Sequence, residues 1–297
     1  MILLFLQPLI IPAASILAQG LPETDIFVAN LSHVNSKLVV DSLRNMTHRE
    51  GYDNQPSFAP DGKSFLFTEY VDNQADIFRC LVETDSIMRL TDTKESEYSA
   101  TVTPDGGHFS VVRVERDSTQ RLWQFPLLAP DTGESARLLL KTIKPVGYQA
   151  WIDSETVALF VLGDTNTLHI VNVRSEEDEK VIGEIGRSLH KTPGRNSVSF
   201  VHKVSKEEWW VKEYDRTTKT IHPLIRTFPS REDFAWTPDG TVLMADSLKL
   251  YSWKSGIDST WQQRADYSGS GISEISRLAV SPQGNKIAIV GRMPSKR

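Results

Sequence analysis

The chain has 297 residues, of which 39% are hydrophobic and 24% charged, with a formal net charge of -5. That length can bury a large core, and the acidic balance leaves no basic footprint for nucleic acid or for an anionic membrane surface. Cys80 is the single cysteine, which excludes an intrachain disulfide and a cysteine-based zinc site.

Taken in chain order, Met1 to Leu17 is apolar apart from Gln7 and Ser15, and is too short and too interrupted by Pro8 and Pro12 to span a bilayer. It reads as the apolar core of a secretory signal with cleavage after Ala18, although no Lys or Arg precedes the run as is usual. Residues 1–18 are expected to direct export, to the periplasm or outside the cell. Residues 21–297 are expected to form a single mature domain that does not insert into the membrane.

Asp25-Ile26-Phe27 and Arg44-Asn45-Met46-Thr47 come next, and they recur as Asp76-Ile77-Phe78 and Arg89-Leu90-Thr91. Between the copies lies the run from Phe58 to Phe67, with an aromatic, the turn Pro60-Asp61-Gly62, and the apolar strand Phe65-Leu66-Phe67. Pro presets φ at the first corner, Asp caps nearby amides, and Gly accepts positive φ. The turn returns at Pro104-Asp105-Gly106, Pro193-Gly194, Pro238-Asp239-Gly240 and Pro282-Gln283-Gly284, so successive prolines are 44, 89, 45 and 44 residues apart. The double interval predicts a degenerate copy, which is found from Trp151 to Phe160.

A hydrophobic pair opens a further strand after each copy, at Ile77-Phe78, Leu122-Trp123, Leu168-His169, Trp209-Trp210 and Leu250-Tyr251. Four short strands in each unit of about 44 residues is the pattern of a propeller blade. The N-terminus carries only outer-strand motifs, and the C-terminus stops after the inner strand Lys286 to Val290. The expected fold is therefore all-β, a six-bladed β-propeller closed by pairing N-terminal outer strands with C-terminal inner strands. Closure of this kind removes exposed sheet edges.

The Pro-Asp-Gly turn, its copies and the Arg-Leu-Thr strand end resemble the WD40-like (PD40) repeat of TolB-like six-bladed propellers, over essentially the whole mature chain. TolB itself carries an additional N-terminal α/β domain that has no counterpart here. The resemblance implies an exported protein that binds other proteins, possible cell-envelope components among them. Similar propellers are also accessory domains of serine peptidases.

Motifs for chemistry are sparse. There is no G-x-S-x-G elbow, and Cys80 lies in a predicted strand where a buried, inert thiol is expected. The seven histidines show no metal-ligand spacing. No cofactor is expected, although calcium held by channel carboxylates would need no linear motif. The acidic run Glu176 to Glu179 reads as a solvated hairpin tip.

The loops entering each innermost strand remain, a few residues ahead of each turn. They carry Tyr52, Asp53 and Asn54, then Glu97 and Tyr98, Tyr148 and Gln149, Arg187, Arg231 and Glu232, and Glu274 with Arg277. Tyr and Arg are favoured at protein interfaces because they combine apolar area with directional bonding. The expectation is non-enzymatic binding of a protein or peptide at the channel mouth. The alternatives are a metal-assisted hydrolase or lactonase-type enzyme at that mouth, or a structural module of a cell-envelope complex.

Overall fold

In the computed structural model, which describes residues 21–35, 37–128 and 136–294, the repeated turns close as their residue types require. The apolar segment read as an export signal lies outside the described residues. Gly62, Gly106 and Gly240 take φ of 65°, 70° and 82°. Each donates its N–H to the carbonyl three residues earlier, at 2.9 to 3.0 Å. Asp61 Oδ1 accepts from the Lys63 N–H and Asp105 Oδ1 from the Gly107 N–H, both at 2.9 Å. The degenerate copy does the same without Pro or Gly, since Asp153 Oδ1 accepts from the Glu155 N–H at 3.0 Å.

The chain opens with β1 (Thr24–Val34), β2 (Lys37–Val40) and β3 (Arg44–Asn45). Blade one is β4 (Tyr52–Phe58), β5 (Ser64–Val71), β6 (Gln74–Leu81) and β7 (Ile87–Arg89). Blade two is β8 (Ser96–Val102), β9 (His108–Val114), β10 (Gln120–Pro126) and β11 (Arg137–Leu138). Blade three is β12 (Val146–Trp151), β13 (Thr156–Val161), β14 (Thr167–Asn172) and β15 (Asp178–Ile182). Blade four is β16 (Ile185–Lys191), β17 (Ser197–Lys203), β18 (Trp209–Asp215) and β19 (Thr220–Arg226). Blade five is β20 (Phe234–Trp236), β21 (Thr241–Asp246), β22 (Lys249–Lys254) and β23 (Gln262–Asp266). The last strands, β24 (Glu274–Val280) and β25 (Lys286–Arg292), are the inner half of blade six.

That blade is completed from the other end of the chain. β1 pairs antiparallel with β25 from Thr24↔Arg292 to Asn30↔Lys286, and β3 pairs with β1 outside it. A single bridge between Thr24 and Tyr52 ties this blade to blade one. The strand β2, which the repeats did not foretell, folds back on β1 as a hairpin.

The paired markers near each blade's outer edge are the two ends of one hydrogen-bonded clasp. Thr91 Oγ1 accepts from the Ile77 N–H at 2.9 Å, while Asp76 accepts from Arg89 at 2.7 Å. Thr47 Oγ1 accepts from the Ile26 N–H at 3.1 Å, and Asp25 accepts from Asn45 at 2.6 Å. Thr91→Val keeps the shape but leaves the buried Ile77 N–H without its partner. We expect it to lower stability by about 1–3 kcal/mol, read from the urea midpoint. A loss below roughly 0.5 kcal/mol would show that the clasp hydroxyl is dispensable.

The core is divided among six clusters, one between each pair of neighbouring blades. This is why second strands such as β5 and β13 are apolar at successive positions, since both of their faces are covered. Tryptophans on innermost strands add polar pins between blades. Trp151 Nε1 donates to Ser110 Oγ at 2.8 Å, and Trp236 Nε1 donates to Ser199 Oγ at 2.7 Å.

The acidic run lies at the β14–β15 hairpin with Glu177 and Asp178 exposed, as expected of a solvated tip, and three of its carboxylates also make contacts there. Glu176 accepts from the Lys141 and Thr142 N–H groups at 3.2 and 3.0 Å, Asp178 pairs with His169 at 2.8 Å, and Glu179 accepts from the Tyr214 hydroxyl at 2.5 Å. Among the described residues no helix is long and apolar enough to cross a membrane.

Candidate functional site

The innermost strands β4, β8, β12, β16, β20 and β24 surround a central channel of about 480 Å³. The residues singled out from the sequence lie on these strands rather than in loops before them, except Arg231 and Glu232, which precede β20. The reason is a set of bulges. Register shifts between Asn54 and Ser57, Tyr98 and Thr101, Ile185 and Leu189, and Ile275 and Arg277 absorb extra residues while pairing continues towards the mouth. Gln55 and Ser99 take φ of 58° and 55° there.

Several of the singled-out residues hold the strands in place. Asp53 is wholly buried and accepts from Arg49 Nη2 at 2.6 Å, while Arg49 Nε lies 3.4 Å from the facing Glu69. Burial pushes the Asp53 carboxyl up to about 7, with Arg49 opposing the shift. Glu97 is equally buried and accepts from Thr93 Oγ1 at 2.6 Å and Arg113 Nε at 2.9 Å; burial raises its carboxyl as well. Asn54 Oδ1 accepts from the Gln55 N–H at 2.8 Å, supporting the bulge. Gln149 accepts from Ser110 Oγ at 2.6 Å and donates to the Ser99 carbonyl at 3.2 Å.

Arg231, Glu232 and Glu274 are similarly occupied. Arg231 pairs with Asp246 at 3.1 Å and Glu274 at 2.6 Å, and Glu274 also lies 3.4 Å from Arg292. Glu232 receives Lys203 at 2.8 Å. These three side chains join the rims of neighbouring blades.

Tyr52, Tyr98, Tyr148, Arg187 and Arg277 form a different group, one from each of five blades, and Asp233 just ahead of β20 is the sixth member. Arg277 Nη2 donates to Tyr148 Oη at 2.9 Å, and the guanidinium sits 5.0 Å from the Tyr148 ring centroid. Blades three and six are opposite one another in a ring of six, so this contact bars the channel. Asp233 Oδ1 accepts from the Leu278 N–H at 2.9 Å, while Oδ2 lies 3.7 Å from Arg277 Nη1 and 3.8 Å from Arg187 Nε. Tyr52 is in electrostatic reach of Arg277, Tyr148, Arg187 and Tyr98, and burial pushes its phenol up to about 12.

Asp233 was missed in the sequence, yet a signal was present. It stands five residues before Pro238, as Arg277 stands five before Pro282; Gln55, Ser99 and Ser188 have the same offset from Pro60, Pro104 and Pro193, and all five line the channel.

Two features that could suggest catalysis, a Ser–His contact and a lone cysteine, have structural explanations. Ser188 Oγ lies 3.0 Å from His190 Nε2, but the same i,i+2 contact recurs as Thr167–His169 and Thr220–His222. Ser188 Oγ also contacts the Phe234 backbone, the His190 ring packs 4.7 Å from that of Phe234, and burial lowers His190 to about 4. The pair clasps blades four and five. Cys80 is fully buried, and burial pushes its thiol up to about 12, far from a reactive thiolate. Among the described residues no group of three or more His, Cys, Asp and Glu is placed to hold a metal ion.

Fold and site together define a closed six-bladed propeller with a tyrosine- and arginine-rimmed channel. No family model matches the chain. No curated relative matches it either. Among solved structures the chain is similar to a protein provisionally designated TolB from Agrobacterium tumefaciens, with a TM-score of 0.72 at 14% identity over 93% of this chain and 100% of that one. It is also similar to TolB from Acinetobacter baumannii, with a TM-score of 0.59 at 10% identity over 91% of this chain and 64% of the other. An oligogalacturonate lyase from Vibrio parahaemolyticus matches with a TM-score of 0.53 at 14% identity, over 93% and 100% of the two chains. At such identities the likeness is one of fold.

Proposed function

We propose that this chain is a non-enzymatic, exported propeller of the TolB-like kind, with PD40-type repeats forming one domain over residues 21–297, and that it binds a protein or peptide across its channel mouth. The observation that carries this reading is the convergence of Tyr52, Tyr98, Tyr148, Arg187 and Arg277 from five blades on one opening. Tyrosine and arginine dominate the energetics of protein interfaces, and ligands commonly occupy cavities of roughly 300–1,000 Å³. The fold-level likeness to TolB adds support by analogy only, because one fold hosts many functions. The engaged state of Cys80 and of the Ser188–His190 pair argues against hydrolysis by either group.

The test is affinity capture from the host's envelope fraction with the wild-type protein and with a Tyr52→Ala, Tyr98→Ala double variant. A partner held by the mouth should be lost, or weakened at least ten-fold, with the variant's melting curve unchanged. Retention of every captured partner at wild-type strength would refute the assignment of this face.

A further inference from the structure

We propose that the element recognised in the channel is a carboxylate, supplied by an acidic segment of the bound peptide and seated between Arg187 and Arg277; this rests on the channel mouth being the binding face. The channel's charge is opposite to that of the molecule. The whole chain carries a net charge of -5, yet the residues lining the cavity include Arg187, Lys191 and Arg277 against the single acid Asp233. A cationic channel in an acidic protein draws anions inward and disfavours cations.

Donor geometry narrows the ligand further. Arg187 and Arg277 converge on the carboxylate of Asp233 at 3.8 and 3.7 Å, Arg187 Nε also lies 3.7 Å from Glu232 Oε1, and all three ion pairs are long. Asp233 has already committed Oδ1 to the Leu278 N–H. Arg187 Nε is buried between Glu232 and Asp233 without a hydrogen bond, and of its terminal N–H groups Nη2 reaches only the Ser276 carbonyl, at 3.2 Å. Arg277 gives one N–H to Tyr148. The Tyr52 hydroxyl beside them has no hydrogen-bond partner among the described residues, and Lys191 makes no ion pair among them. Planar guanidinium forks with spare donors match a carboxylate, which can accept two parallel N–H bonds. On the adjoining walls the half-buried Trp151 and Trp236 give the rest of a peptide some apolar surface to lie against.

The probes are rhodamine-labelled hexapeptides measured by fluorescence anisotropy at low salt. They are amidated hexaglutamate, amidated hexaglutamine, and hexaglutamine with a free C-terminal carboxylate. We expect hexaglutamate to bind at least ten-fold more tightly than amidated hexaglutamine, and the third peptide shows whether a chain terminus suffices as the carboxylate source. Arg277→Gln should weaken hexaglutamate at least ten-fold and Arg187→Gln several-fold, while Lys206→Gln on the exposed β17–β18 loop, outside the channel lining, should change it less than two-fold. Should Arg277→Gln fail to fold, Arg187→Gln decides, because its guanidinium is a third exposed and its ion pairs are long.

Equal binding of the two amidated peptides, no hexaglutamate binding at all, or indifference to both arginine variants would overturn the carboxylate assignment. An equal loss with Lys206→Gln would do the same by exposing general charge attraction. Each of these results leaves the channel-mouth reading standing if the Tyr52 and Tyr98 variant still loses its captured partner. Loss of that second result as well would bring down both.

Discussion

Phe67→Ala is expected to lower the unfolding free energy by about 3–5 kcal/mol and the melting temperature by on the order of 10 °C. Phe67 is wholly buried, with ring centroids 5.8 Å from Phe65 and 5.9 Å from Phe78. Its cluster contains Ile26 and Met46 from the N-terminal part of the chain, Ala288 and Val290 from the C-terminal strand, and Phe58, Cys80 and Val82 from blade one. The cavity would therefore open at the seam where the ring closes. Three parts of the chain meet there, held together by packing and by the β1–β25 ladder. The loss should exceed that of Phe125→Ala, a site between blades one and two that is 8% exposed. Thermal and urea unfolding of the two variants side by side would check this; equal or reversed losses would mean that the seam is no more critical than other blade interfaces.

Asp53 sets the second large effect, a pH dependence with a definite sign. Its carboxyl is raised by burial from 3.8 to about 7 in the folded chain, with Arg49 opposing. Over that window the folded state holds the proton more tightly than the unfolded state. The stabilisation is complete below the unfolded value and is lost as pH rises through about 7. A shift of about three pH units corresponds to roughly 4 kcal/mol. His190 has the opposite slope, since its lowered value makes stability fall as pH drops from 6.5 towards about 4.

The wild-type profile alone mixes these effects with those of other shifted carboxylates such as Glu97, so the difference between wild type and Asp53→Asn is the informative quantity. Asparagine keeps an acceptor for Arg49 and removes the proton. Urea midpoints from pH 4.5 to 8 should show the variant gaining on the wild type as pH rises, by a few kcal/mol in total. Parallel profiles would sink the assignment. The effect also bears on the seam, because the Asp53 carbonyl accepts from Thr24 Oγ1 at 3.0 Å and the Gly51 carbonyl from the Thr24 N–H at 2.9 Å.

Much of the architecture was legible because it depends on local chemistry repeated at a fixed interval. The turns at Pro60, Pro104, Pro238 and Pro282 require residues that tolerate a tight corner, and those residues identify themselves. The pairing of Asp25-Ile26-Phe27 with Asp76-Ile77-Phe78 exposed the split blade, because each marks one end of a clasp whose other end is the threonine of the outer strand. The degenerate copy after Trp151 was placed by counting alone.

The site was legible only as a neighbourhood. Spacing from the turns brought out Tyr52, Tyr98, Tyr148, Arg187 and Arg277, but it grouped them with Asp53, Asn54, Glu97, Gln149, Arg231, Glu232 and Glu274, whose side chains are committed within or between blades. A strand alternates its faces with a period of two, so a single bulged residue exchanges channel and interior positions. Such bulges leave no dependable mark in one sequence. Arg277 and Tyr148 are 129 residues apart and meet only because six blades close into a ring.

The amino-acid sequence by itself thus determined the repeat, the turn chemistry, the number of blades and the exchange of strands between the chain's ends, all of which follow from short-range propensity and periodic burial. Tertiary structure alone decided which polar residues face the channel, that two arginines there converge on Asp233, and that Asp53 lies buried at the seam. Those are consequences of bulge positions and of contacts across the ring, where residues distant in sequence compete for the same donors and the same protection from water.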